Sequence, residues 1–108
     1  MEIDVNNHHG FKVIQLKGNI EHLKDSISLK SLINSLIEEK ELKIAIHLKE
    51  LNYIDSAALN VFIYARANLE KLGGRFCLLE PNAYIMDVLA VVGLTDIFTI
   101  LQDKDKLH

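Results

Sequence analysis

The chain has 108 residues, 49% of them hydrophobic, 25% charged and 6% aromatic, with a formal net charge of −3 at pH 7. This size and apolar content exclude a disordered chain and allow one core that needs neither disulfide nor metal. The acidic balance argues against nucleic-acid binding, which requires a basic surface to neutralise phosphates.

The single cysteine, Cys77, cannot close an internal disulfide, so a reducing cytoplasmic setting is expected. The longest apolar stretch, Val88–Leu94 counting Gly93, is far shorter than the about 20 residues of a spanning helix. Direct membrane insertion is therefore not expected. The start, MEIDVNN, lacks the basic and apolar regions of a signal peptide. One domain over residues 1–108 is expected, with 102–108 a loose or helical tail.

Ile3–Asn7 and Phe11–Lys17 read as short strands joined through His8-His9-Gly10, a hairpin with glycine in its turn. Both faces of the second strand are partly apolar, so something should pack on each side of the sheet. Gly18 is expected to end that strand. Asp25 or Ser26 is the predicted N-cap of a helix carrying Leu29, Leu32, Ile33, Leu36 and Ile37 at helical spacing and running out near Lys40. Leu42–Leu48 alternates as a strand, and Leu51 and Ile54 continue its apolar content to Asp55.

Ser56–Leu72 is the second predicted helix, with Ala58, Phe62, Ala65, Leu69 and Leu72 on one stripe. Gly73-Gly74 stops it. Arg75–Leu79 is a short apolar strand ended by Glu80-Pro81, and Asn82 caps a third helix running to Val92, with Gly93 as its C′ residue. Ile97–Leu101 reads as a last strand. The expected fold class is α/β, a mixed sheet covered by helices in the order β-β-α-β-α-β-α-β.

Little in this pattern is catalytic, and an enzyme is not expected. The five histidines show no HExxH, CxxC or other local ligand spacing. His8 and His9 are adjacent and on a strand would face opposite ways. They read as surface or satisfied histidines, with no metal and no cofactor expected. Ser56 follows Asp55 but lacks the GxSxG elbow. Cys77 lies mid-strand in an apolar run, where a free cysteine behaves as a small hydrophobe. No phosphate-cradling loop is present, and Gly73-Gly74 follows a helix instead of preceding one.

The segment Leu51-Asn52-Tyr53-Ile54-Asp55-Ser56-Ala57-Ala58-Leu59 carries more information. A hydrophobic strand runs into Asp-Ser, and a helix starts there. This resembles the signature of STAS domains, the family of bacterial anti-sigma factor antagonists. The similarity continues at Lys71-Leu72-Gly73-Gly74 followed by Arg75–Leu79, at Val88–Phe98 with its Gly-Leu turn, and at Gly18-Asn19-Ile20-Glu21. It spans nearly the whole chain, in order.

The resemblance implies a switch in transcription regulation. A partner serine kinase, itself the anti-sigma factor, phosphorylates the serine after the Asp, and a PP2C-type phosphatase reverses this. Unmodified antagonist binds the kinase and frees the sigma factor. Carried onto this chain, the phospho-acceptor is Ser56. The chain departs from the family pattern at Ala57, Ala58 and Glu21, which stand for a second serine, a glycine and an aspartate. Tyr53, Ser56, Asn60 and Tyr64 are expected along one exposed edge as the partner surface, with Asp55, Ala57, Ala58 and Glu21 beside them. Tyr53 packed inward as a lid remains open. So does a purely capping role for Asp55-Ser56. The resemblance also extends to constitutive scaffolds, such as stressosome subunits and partners of lipid transporters, that bind without phosphorylation.

Overall fold

A computed structural model describes residues 1–108. Strand β1 (Glu2–His8) pairs antiparallel with β2 (Phe11–Ile20), and helix α1 (Leu23–Glu38) follows. Next come β3 (Lys43–His47), β4 (Leu51–Ile54), α2 (Ser56–Lys71), β5 (Arg75–Leu79), α3 (Ala83–Val91) and β6 (Thr99–Leu101). A 3-10 turn, Lys104–Lys106, closes the chain.

The sheet runs β1-β2-β3-β5-β6, all parallel after the opening hairpin, and β4 pairs with the far end of β2. The fold is thus a small α/β domain with a mixed sheet and three helices, as the residue pattern predicts.

Four local expectations need correction. Gly18 does not end β2. The strand continues to Ile20 through a register shift at Gly18/Asn19, where Gly18 takes φ +88, a conformation open to glycine at no steric cost. The second half of β2 needs a partner, and the four residues of Leu51–Ile54 supply it. They form a separate strand, β4, so the element order gains one strand. Helix α1 begins earlier than Asp25 or Ser26, with His22 as its N-cap residue and no side-chain cap. Ser26 lies inside the helix, buried, and its hydroxyl donates to the Leu23 carbonyl instead. The last strand starts at Thr99. Ile97 is in a turn, and Phe98 is buried against Phe62 and Phe76.

The three helices cover one face of the sheet. There Ile14, Leu16, Ile44, Ile46, Phe76 and Leu78 meet Ile33, Phe62, Ala65 and Leu89 in a single core. The opposite face carries Phe11, Val13, Ala45, Cys77 and Leu79, and no helix lies over it. Its cover is the tail. Leu107 is 1% exposed and packs into that cluster, and the Arg75 guanidinium donates to the His108 carbonyl. Both faces of β2 are apolar because each has its own cover.

Candidate functional site: the Asp55–Ser56 turn

The turn between β4 and α2 is held from three sides. The Asp55 N–H donates to the Ile20 carbonyl at 3.1 Å, which ties the turn to the end of β2. The Asp55 carbonyl accepts from Leu59 N–H at 3.2 Å and opens the helix ladder. Its carboxylate Oδ1 accepts from Ala58 N–H at 3.0 Å, which satisfies one of the helix's unpaired donors. Asp55 alone is therefore the N-cap residue. Ser56 is the first helical residue and is exposed to solvent.

The helix behind it has 16 residues and no acidic side chain in its first turn. Its positive end thus meets Ser56 with only Asp55 as local negative charge on the element. Because Ile20 pairs with Ile54, Glu21 leaves β2 beside Asp55 as it leaves β4. Glu21 is exposed, with its carboxylate 3.9 Å from His22 Nε2. Asp55, Ser56 and Glu21 are thus brought to one end of the sheet.

The other residues predicted here divide. Asn60 is exposed, one turn after Ser56 on the outer face of α2. Ala57 is half-buried. Ala58 is 0% exposed, because it heads the core stripe with Phe62 and Ala65. Its methyl cannot meet a partner, and only its backbone N–H takes part, in the cap. Tyr53 is 44% exposed and does not close over the core. Its ring stacks on Tyr84 of α3, with centroids 6.4 Å apart and 23° between planes.

Tyr64 is not on the free edge. Two turns of a 3.6-residue helix fall short of eight residues, so it has rotated about 80° from Ser56 toward α1. Its hydroxyl donates to Asn34 Oδ1 at 2.6 Å, and Lys30 Nζ sits 4.3 Å from its ring centroid. Tyr64 is a rivet between two helices.

This fold has counterparts. A model of the STAS domain matches residues 2–107 of the chain. The chain belongs to the STAS domain family. Among proteins of that kind, an anti-sigma F factor antagonist of Paenibacillus polymyxa is 23% identical over 105 residues, covering 96% of this chain and 89% of its own. An anti-sigma factor antagonist from Mycobacterium paratuberculosis superposes with a TM-score of 0.84 at 19% identity, over 98% of this chain and 89% of that one. The Bacillus cell fate determinant SpoIIAA in its phosphorylated form gives 0.75 at 20% identity, over 96% and 95%. At these identities the superpositions establish a shared fold.

The STAS fold of this chain exposes apolar side chains that sequence periodicity did not single out. Tyr84 lies in the first turn of α3 against Tyr53, and Leu23 and Ile27 stand out from the start of α1. The signal for Leu23 and Ile27 was present: both fall off the stripe of Leu29, Ile33 and Leu36. An open cleft of about 440 Å³ lies elsewhere, lined by Arg66 and Glu70 from the later turns of α2 and by Phe11, Cys77 and Leu107. Cys77 is buried there, and loss of hydration pushes its thiol pKa up, with Arg75 pulling partly the other way. That is the wrong direction for a nucleophile. No helix is long and apolar enough to cross a membrane.

Proposed function

We propose that the chain is a regulator that binds a serine kinase acting as anti-sigma factor, and that phosphate on Ser56 abolishes this binding. The reading rests above all on the exposure of Ser56 at the first helical position, with Asp55 already serving as the cap. A kinase can reach this hydroxyl without opening the fold. The helix end then tolerates the product, since anions near an N-terminus gain typically about 0.3–1 kcal/mol. Phosphorylation adds about −1.5 to −2 charges and three acceptor oxygens. A partner surface matched to a neutral hydroxyl would have to desolvate that dianion next to Asp55 and Glu21, and binding fails without any refolding. Tyr53, Tyr84 and Asn60 supply the contact surface around it, with the aromatic pair as anchor. A PP2C-type phosphatase resets the switch, and the setting is cytoplasmic.

The test is incubation with a partner kinase and ATP. One phosphate should be gained, and the gain should vanish in Ser56→Ala. Ser56→Asp should weaken kinase binding while leaving the thermal midpoint nearly unchanged. Labelling that persists in the alanine variant would refute Ser56 as the acceptor. Unchanged binding of Ser56→Asp would favour a constitutive scaffold.

A further inference from the structure

We propose that His8, His9 and Asp105 bind a divalent transition-metal ion of the zinc type, and that the ion clasps the C-terminal turn to the first hairpin. Strand β1 ends at His8, which pairs with Phe11 and leaves His9-Gly10 as a two-residue turn. Both turn residues have positive φ, 50° and 82°, as this tight hairpin geometry demands. Strand alternation therefore stops at His8, and the two imidazoles do not face opposite ways. Their ring centroids are 4.2 Å apart in an edge-to-face arrangement.

Asp105 arrives from the other end of the chain, 97 residues from His8. It is fixed within the 3-10 turn, where its N–H donates to Asp103 Oδ1 at 2.9 Å. One oxygen, Oδ1, lies 3.2 Å from His8 Nε2 and 4.0 Å from His9 Nε2. A ligand atom of each residue lies within 4.8 Å of the other two.

Tetrahedral zinc with bonds of about 2.0–2.1 Å has ligand–ligand edges of roughly 3.3 Å. The His8–Asp105 edge is already at that spacing. The His9–Asp105 edge, at 4.0 Å, must close by about 0.7 Å to reach it, and the His8–His9 edge, within 4.8 Å, by at most about 1.5 Å. Its side chain is 52% exposed and has room to swing. Two imidazoles and one carboxylate suit zinc, copper or nickel in preference to magnesium or calcium. The remaining coordination position is left to water. Local sequence spacing could not show this site, because its third ligand is almost the whole chain away.

The ion would fix the segment that covers the second face of the sheet. Leu107, two residues past Asp105, is the apolar cover of that face and one wall of the 440 Å³ cleft.

The experiment titrates the chelator-treated full chain with zinc chloride, followed by calorimetry and native mass spectrometry. One equivalent should bind, and excess magnesium should not displace it. His9→Ala and Asp105→Asn should each weaken zinc at least about tenfold, whereas His22→Ala should leave it unchanged. All three positions are exposed, so the variants should fold. Zinc should also slow amide exchange across Asp105–Leu107 and at the hairpin turn. Absence of a one-to-one adduct would overturn the site, as would an adduct that survives both ligand substitutions. Unchanged exchange in the zinc-bound protein would overturn the clasp.

Discussion

The helix-covered side of the sheet gathers 23 buried hydrophobic residues into one cluster, whereas the other side gathers six, one of them supplied by the C-terminal tail. The first cluster draws on every helix and holds the Phe62–Phe76–Phe98 ring contacts. The second depends on Leu107, near the end of a chain segment with a single turn of 3-10 helix. Local opening starts where few apolar contacts hold a segment, so the tail should lift at a small fraction of the global free energy. The Asp55–Ser56 turn belongs to the first region. It is presented by a helix whose opposite side is core, and this makes it a rigid platform for recognition. The His8–His9–Asp105 cluster belongs to the second, where holding or releasing the tail changes what is covered.

Substitutions on the two sides should separate these regimes. Phe62→Ala removes a fully buried ring from the large cluster and should cost roughly 3–5 kcal/mol in denaturant unfolding. Leu107→Ala should cost about 1–2 kcal/mol, below the usual range for a buried leucine, because a segment held by one turn of 3-10 helix over a small cluster can collapse or detach. Equal costs would show that the second face is as cooperative as the first.

Asp55→Ala removes the cap and should cost about 1 kcal/mol. It should also loosen the presentation of Ser56, seen as faster amide exchange at Ala57 and Ala58. If exchange there is unchanged, the cap is not what positions the serine.

The smallest effect concerns Cys77. Its folded thiol ionises later than an unfolded one, so the unfolded state loses its proton first as pH rises past the ordinary value of 9.0. The resulting contribution to stability is intact below that value and is lost as pH climbs through the raised folded pKa. An alkaline stability profile should show this fall in the native chain and lose that part of it in Cys77→Ala. At neutral pH, alkylation of Cys77 should require opening of the tail or global unfolding.

Much of this architecture was legible in the residues. Arg75–Leu79 and the start of α2 at Ser56 were readable because strong apolar patterning meets unambiguous punctuation, Gly73-Gly74 on one side and Asp55 on the other. Strand β4 was not, because four residues after the Lys49-Glu50 turn carry no periodicity separable from the preceding strand. Its existence is decided by the pairing needs of β2 beyond Gly18, which is a tertiary matter. The α1 cap failed for a related reason. Asp25 and Ser26 have capping chemistry, but the chain leaving β2 turns into helix as early as Leu23, and Ser26 is drawn inside. At the site, Asp55, Ser56, Glu21 and Asn60 came from linear motif and helix phase. The burial of Ala58, the rotation of Tyr64 onto Asn34 and the pairing of Tyr53 with Tyr84 depend on which element packs beside each residue.

The most direct measurement is intact-mass analysis of the chain recovered from its native cells, with fragmentation across Leu51–Arg66. A switch at this turn predicts one phosphate, localised to Ser56, in a fraction of the protein that changes between growth and stress. Absence of phosphate from that segment under both conditions would contradict it and leave Ser56 as an ordinary first residue of a helix.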